Sequence, residues 1–570
     1  MRLKVSRSKN SASLYVTKTV YEGKKEKTIT VEKLGTEKEL REKLGGADPY
    51  EWAKNYINEL NEQEKENQRE VIAKFSPVKR IEKNKKKLFN GGYLFLQNIY
   101  YDLKIDKICN DICKRYHFTF DLNEILSYLI YSRILFPCSK KATTELSQSF
   151  LEVPGFSLHQ VYRALEVLAK EMDFIQAELY KNSLKILPRN SQILYYDCTN
   201  FFFEIEQEDG LKQYGVSKEN RPNPIVQMGL FMDGNGIPLA FCINNGHTNE
   251  QITLKPLEKK IISDFELSEF VVCTDAGLAS TANRQFNNFG NRSFVTTQSI
   301  KLQKKYLKEW CLNPEGWYLF GSAKTYNLNE LDGENDKNKI YYKERWINEN
   351  GLEQKLIVTY SIKNRNYQRH IRNEQIERAE KLIASSPKKI NKKRQTDFKR
   401  FIEELHATSD GEVAEESLYS IDLNKVKAEE MYDGFYAICT NLEDETEKVI
   451  KINKRRWEVE ESFRIMKSEM KSRPVYLTRD DRIIAHFGTC FISLLIYRIL
   501  EKRLDDEHTC SNIIETLRSM NFNDLTGEGY IPVFERTDLT DSLHDIFGFR
   551  TDYQINSYKM MKKIYKQTKK

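Results

Sequence analysis

Gln192-Ile193-Leu194-Tyr195-Tyr196-Asp197-Cys198-Thr199-Asn200-Phe201-Phe202-Phe203-Glu204 is a run of aromatic and aliphatic residues with no Gly or Pro and one acid near its middle. It reads as a buried strand. An Asp is unfavourable there by propensity, and burying its charge is costly without a partner. A second run, Phe270-Val271-Val272-Cys273-Thr274-Asp275-Ala276-Gly277, also ends in Asp, followed by a Gly turn. Alone, each Asp is as well explained as a turn or helix-cap residue. Two acids placed alike on two strands point to a shared site.

The third acid comes from Arg456-Trp457-Glu458-Val459-Glu460-Glu461-Ser462-Phe463-Arg464-Ile465-Met466-Lys467. Arg456, Glu460, Phe463 and Lys467 are four, three and four apart and share one face of a helix. Such a stripe by itself is an ordinary solvated salt-bridge face. With Asp197 and Asp275 it suggests three carboxylates converging on hard cations, and Mg²⁺ fits because it takes oxygen ligands and keeps waters and substrate phosphates in its shell.

The order Asp, Asp, then Glu within Arg-x-x-x-Glu-x-x-x-x-x-x-Lys resembles the DDE transposases of bacterial insertion sequences. The branch it resembles is the insertion-sequence-four-like superfamily, whose signature is Tyr-x-x-Arg-x-x-x-Glu-x-x-x-x-x-x-Lys. Ile237-Pro238, Asn245-Gly246-His247-Thr248-Asn249-Glu250, Asp275-Ala276-Gly277, Asp433-Gly434-Phe435 with Thr440-Asn441, and Arg473-Pro474-Val475-Tyr476 before His486 add to the likeness, as does the opening Leu14-Tyr15 … Leu34-Gly35 pattern. It spans roughly Ser191 to Leu500. Asn453 stands where the signature has Tyr, so the phenol contact to DNA does not carry over, although an amide still suits a phosphate.

An α/β fold is expected, with a ribonuclease H-like catalytic core interrupted by a β-rich insertion and preceded by a mostly helical N-terminal region. The runs 226–232 and 238–243 flank Asp233-Gly234-Asn235-Gly236, a hairpin signal. A helix near 250–263, the Asp275 strand, a helix near 280–289 and a strand at 293–298 complete a pattern that brings both Asp residues to one sheet edge. The 184 residues between Asp275 and Glu460 (460 − 275 − 1) exceed what one helix and a turn need. They predict an insertion, strand-like at first, then a charged helix from Asn364 to Leu405 broken near Ser385-Ser386-Pro387. One helix from about Glu447 to Met470 is expected to carry Glu460, burying Val449, Ile452, Val459, Phe463, Met466 and Met470.

The expected domains are 1–90 (basic hairpin around Glu22-Gly23-Lys24, then a polar helix at 49–75, binding DNA), 91–187 (helical), 188–300 with 431–502 (catalytic core), 301–430 (insertion) and 503–570 (C-terminal). Residues 91–187 suit either a helix-turn-helix DNA reader or a plain bundle packed on the core. A chain of 570 residues is too long for a single core, and 30% charged with 12% aromatic residues marks it as globular rather than disordered. The net charge of +7 is modest, but Lys and Arg cluster at 1–30, 79–87 and 388–400, which suits a polyanion. No run approaches the roughly 20 apolar residues of a membrane span, and Met1-Arg2-Leu3-Lys4 opens no apolar signal core. The ten scattered cysteines suit buried free thiols in a reducing cytosol.

These readings lead to the expectation of a cytoplasmic, bacterial, nucleoid-associated transposase that cuts and joins DNA at the ends of its own element. Asp197, Asp275 and Glu460 would hold two Mg²⁺ ions, with Mn²⁺ as a substitute. Arg456, Lys467 and Asn453 would bind DNA phosphates. The partners implied are double-stranded DNA, as element ends and target, and a second copy of the chain, with no membrane. The resemblance further implies a flipped base stacked on an aromatic of the insertion. Trp317, which follows Asn313-Pro314-Glu315-Gly316, is the candidate ahead of Trp310 and Trp346, against a plain packing role. The rival readings are a metal-dependent nuclease without strand transfer, a non-catalytic transposase-derived DNA-binding protein, and a protein-interaction scaffold.

Overall fold

The computed structural model describes all residues except 9–10, 23–24, 68–69, 74, 386–396 and 408–412. The predicted turn at Glu22-Gly23-Lys24, the break after Ser385 and most of the 388–400 basic cluster therefore lie at or beyond the limits of the described residues. The chain divides into two compact units, Met1–Lys85 and Lys86–Lys570.

In the first unit the strands Arg2–Ser8, Ser11–Glu22 and Lys25–Thr36 pair antiparallel. Thr36 then caps the helix Glu37–Lys43 through a reciprocal capping box with Glu39. The helix Pro49–Asn67 follows, and Leu14, Leu40 and Ala53 form the buried centre.

The second unit is built on a ten-stranded mixed sheet. Its order is Thr325–Tyr326, Trp317–Leu319, Tyr341–Glu349, Leu352–Tyr360, Phe435–Thr440, Arg292–Gln298, Phe270–Thr274, Ile193–Phe202, Ile225–Asp233 and Pro238–Asn245. Phe270–Thr274 is parallel to both its neighbours, and the other pairs are antiparallel. The predicted hairpin closes on Asp233, whose Oδ1 accepts from the Asn235 and Ile237 amides at 2.9 and 3.0 Å, while Gly236 takes φ 77°. A second hairpin turns at Asn350-Gly351, both with positive φ, the conformation a two-residue turn of this hand requires.

The strands between 317 and 360 extend this same sheet through Leu352–Tyr360 on Phe435–Thr440, and they bury a cluster around Trp317, Tyr341 and Leu356. The helix expected over 364–405 runs Ile362–Ser385. Residues 402–407 instead form a strand paired with Val413–Ile421. Their apolar spacing suits a helix, but Ile402 buries against Ala379 of the preceding helix, so packing overrides local preference.

Five of the six helices between Tyr93 and Ser183 share one core with a late helix, Asp480–Arg503. Among the described residues this late helix alone is long and apolar enough to cross a membrane, and 94% of its most apolar window is buried in the protein. The C-terminal part returns to the start of this unit, where Leu88–Asn90 pairs with Asn521–Leu525.

Candidate active site

Asp197 lies in the interior of Ile193–Phe202 with a half-buried side chain, the least covered position inside a strand otherwise packed on both faces. Tyr195, Asp197, Thr199 and Phe201 alternate onto one face. Tyr195 donates to the Ile452 carbonyl at 3.0 Å, and the Lys467 ammonium donates to Thr199 Oγ1 at 2.8 Å while lying 5.3 Å over Phe201. These two ties hold the covering helices on either side of Asp197.

The cover is not the single helix expected over 447–470. It is Thr446–Lys454 and Trp457–Ser468, joined by a tight turn at Arg455-Arg456. The amides of Arg455, Arg456, Glu458 and Val459 each reach back three residues instead of four. The break has a packing cause. Val449, Ile450 and Ile452 bury against the sheet with Tyr195 and Cys273, whereas Val459, Phe463 and Met466 bury in the helical core with Phe201 and Ile492. All six residues of the predicted stripe are buried, but they serve two cores.

Asp275 follows its strand and caps a short turn, accepting from the Leu278 amide at 3.1 Å. The parallel register matches Ile193 with Val271, Leu194 with Val272 and Tyr195 with Cys273. Carried on by two residues, it sets Asp275 beside Asp197 on strands about 4.8 Å apart. The pair lies in the interior of the ten-stranded sheet rather than on an outer strand. Burial, together with the charge of Asp275, outweighs nearby Lys218 and Arg456 and pushes the Asp197 carboxyl up to about 6.

Arg456 caps the break. Its Nη1 lies 2.9 Å from Glu460 Oε1, and burial, which works against its charge, is outweighed by Glu460, Tyr436, Asp197 and Asp275, so its pKa rises further. One guanidinium thus faces all three predicted acids. The acids do not yet meet. Among the described residues no three His, Cys, Asp or Glu side chains stand close enough to hold a metal ion, because Glu460 is turned to Arg456 with its side chain 54% exposed. Asp197 and Asp275 fit a hard divalent cation, being neighbouring oxygen donors, with the Asp197 carboxyl held up by burial and by Asp275.

Glu460, Phe463 and Lys467 line a groove of about 480 Å³ with Asp197, Thr199, Lys218, Glu219 and Arg473. Glu460 also borders a second depression, of about 650 Å³, with Asn453, Arg456, Trp457 and Tyr436. Burial lowers the pKa of Lys467, with Arg473 and Lys218 adding to the effect against Glu219. Glu219 is held between Lys467, at 3.3 Å, and Arg473.

Two predicted site residues are placed differently. Trp317 is completely buried. Its Nε1 donates to the Asn313 carbonyl at 2.9 Å, and its ring packs on Tyr360 and Phe435 beneath the Lys343 ammonium, so no face is open to a base. Its position after the turn signalled exposure, but the strand it begins faces the core. Asn453 is buried as well, giving its amide to the Tyr436 hydroxyl at 3.4 Å rather than to the groove. That hydroxyl also contacts Thr297 at 2.5 Å, which puts a phenol from a different strand beside the position where the signature has Tyr.

Lys218, Glu219, Arg473, Tyr436 and the exposed Trp457 were not singled out for the site from the sequence. Lys218 and Glu219 fall in the irregular segment 203–224, where no periodicity marks them. Thr199 was legible, two residues from Asp197 on the same strand face.

Among solved structures, one of a piggyBac transposase synaptic complex with hairpin DNA, by cryo-electron microscopy, is similar over 75% of this chain and 78% of that one. At 10% identity and a TM-score of 0.36 it carries no argument. No curated protein matches the chain. The family model of the transposase DDE domain matches residues 197–496. The match begins on Asp197, takes in Asp275 and Glu460, ends within the central buried helix and covers more than half of the 570 residues, so the chain belongs to the transposase DDE domain family.

Proposed function

We propose that this chain is a DNA transposase of the insertion-sequence-four-like branch, cutting at the ends of a mobile element and joining them to target DNA. In this reading 188–300 and 431–502 form a ribonuclease H-like core, 301–430 is an insertion into it, and the protein works in the bacterial cytoplasm as a dimer on DNA. The observation that carries the reading is the placement of Asp197 and Asp275 near enough for their charges to interact, beneath the helix break that presents Arg456 and Glu460.

Asp197, Asp275 and Glu460 would hold divalent cations, Mg²⁺ or Mn²⁺ in its place. Bound there, the metal supplies activation of water or a 3′ hydroxyl and stabilisation of the leaving oxygen in an in-line displacement at phosphorus. The chain's own groups do the positioning. Arg456 is the group to exchange partners. A phosphate offers its guanidinium a bidentate partner in place of the single Nη1–Oε1 contact to Glu460, and the exchange would free the Glu460 carboxylate to turn toward the two Asp residues. Lys467, fixed on Thr199 of the Asp197 strand, presents a point charge to the neighbouring phosphate. Its ties to both elements keep the helix at a set height over Asp197.

Labelled DNA carrying the ends of the source element, incubated with the protein with and without Mg²⁺, tests this directly. Metal-dependent nicking followed by joined products is expected. Nicking that never leads to joined product would favour the nuclease reading, and intact DNA under all conditions would end both. Removing Met1–Lys85, with the 1–30 basic cluster and most of the 79–87 one, should flatten the salt dependence of binding by about 0.9 for each DNA phosphate the shortened protein no longer neutralises.

A further inference from the structure

Beside the groove lies a cavity of about 290 Å³ that the chemistry above does not use. It is closed by the turn after the helix Leu122–Leu135 and by the segment Lys471–Leu477 that leaves the Glu460 helix. Among the described residues, Arg133, Lys140, Lys141, Lys471 and Arg473 line it, and no Asp or Glu does. Lys140 is 5% exposed, and its ammonium has no hydrogen-bond partner among the described residues. Arg133, also 5% exposed, is fixed by the carbonyls of Met470, Lys471 and Cys138 at 3.2 to 3.3 Å, with its Nε unpaired. His486 lines the cavity with Nε2 3.0 Å from the Ser472 carbonyl, and burial holds its ring neutral, so it does not supply the missing charge.

Arg473 already has Glu219 as its partner, but no carboxylate among the described residues reaches Lys140, and a buried ammonium beside a buried guanidinium without one is destabilising unless something binds there. Burial and the charge of Arg133 bring the Lys140 ammonium down to about 7, which marks the same shortage of negative charge. The cavity's place in the fold says what would supply that charge. Arg473 lines both this cavity and the groove of Glu460 and Lys467, so a nucleic-acid backbone leaving the groove passes it. Tyr476, 70% exposed, stands at the rim as a surface for sugar or base.

We propose that the cavity seats a backbone phosphate of bound DNA, with Lys140 and Arg133 as its inner donors and Lys471 and Arg473 at its mouth. The inference rests on the transposase reading and assigns that protein a second phosphate position outside the groove. A phosphodiester supplies acceptor oxygens and one negative charge, which are what Lys140 lacks.

The test uses the full chain and two probes, inorganic phosphate and a DNA duplex. Thermal unfolding is followed in phosphate against chloride at matched ionic strength, and duplex affinity is followed against salt. Wild type should gain melting temperature in phosphate beyond chloride. Lys140→Met should unfold no lower than wild type in chloride, lose that phosphate-specific gain, bind duplex about tenfold more weakly and show a salt slope shallower by about 0.9. Lys471→Gln, at an exposed position where folding is not at stake, should flatten the slope by the same amount. A Lys140→Met protein that melts lower in chloride would make Lys140 a structural cation and overturn the proposal. So would a retained phosphate gain, or a phosphate gain with unchanged duplex slopes in both variants, which would leave a free-anion site only. Those outcomes would leave the transposase reading standing, because it is judged by cleavage. Failure of wild type to bind duplex at all would end both.

Discussion

Asp233 and Asp197 sit on the paired strands Ile225–Asp233 and Ile193–Phe202, yet their surroundings are opposite. Asp233 and its partner Arg189 are both fully buried and fully matched. The carboxylate takes Arg189 and two backbone amides, and the remaining guanidinium donors go to Ser183, Ile237 and Pro238. Asp197 has one backbone hydrogen bond, from Cys198 at 2.7 Å, and a second carboxylate beside it. The lysine whose charge bears on it, Lys218, is tied to Glu250 at 3.1 Å and to the Cys198 carbonyl. A balanced buried charge holds a hairpin closed, whereas an unbalanced one has room for a ligand. The Lys140 cavity is the same imbalance with the sign reversed.

The contrast between the two aspartates fails most visibly if the unbalanced acids turn out to be dispensable. Replacing Asp197, Asp275 or Glu460 by Ala should lower cleavage of element ends by about a thousandfold or more, the scale of losing a charge-stabilising group at a reaction centre, while duplex affinity stays near wild type. Substantial metal-dependent cleavage by any one of the three would remove that residue from the site.

The balanced pair should behave in the opposite way. Asp233→Ala strands the Arg189 guanidinium in the interior and should cost about 3–5 kcal/mol, read as a lower denaturation midpoint, with cleavage per folded molecule unchanged. Trp317→Ala belongs with it. Cutting a buried Trp to Ala costs about 3–5 kcal/mol, and end processing by the folded fraction should proceed at the wild-type rate. A selective slowing of end opening in Trp317→Ala would restore the stacking role.

A smaller effect comes from Lys140. Its folded pKa of about 7 lies below the ordinary 10.5, so between those values the unfolded chain binds one proton more and stability rises with pH. Burial and Arg133 set that direction, against the thiols of Cys490 and Cys138, with Lys141, Lys471, Arg473 and neutral His486 sharing the cavity. In chloride, the melting advantage of Lys140→Met over wild type should therefore shrink as pH is raised from about 7 to 9. An advantage that is constant across that window would show that Lys140 titrates normally. The smallest change is expected from Glu458→Ala and Glu461→Ala. These acids pair with Arg455 at 2.8 Å and Arg464 at 3.1 Å, away from Arg456, and cleavage should be retained.

What the residues by themselves determined is local. The unbroken apolar run set Asp197 inside a strand, the Asp275-Ala276-Gly277 turn ended another, and spacing of four, three and four put Arg456, Glu460 and Lys467 on one stripe. The Asp233-Gly234-Asn235-Gly236 hairpin was equally legible, since each of these features depends on neighbours a few residues away. What the tertiary structure alone decided is long-range. The parallel register brought Asp275 beside Asp197, and two separate hydrophobic cores broke the Glu460 helix at Arg456. The strands of 317–360 joined the central sheet and buried Trp317, and Lys218, Glu219 and Arg473 arrived from irregular segments to line the groove. Periodicity records which face a residue occupies, whereas register, helix breaks and the balance of buried charge are set by partners far away along the chain, and no local pattern carries them.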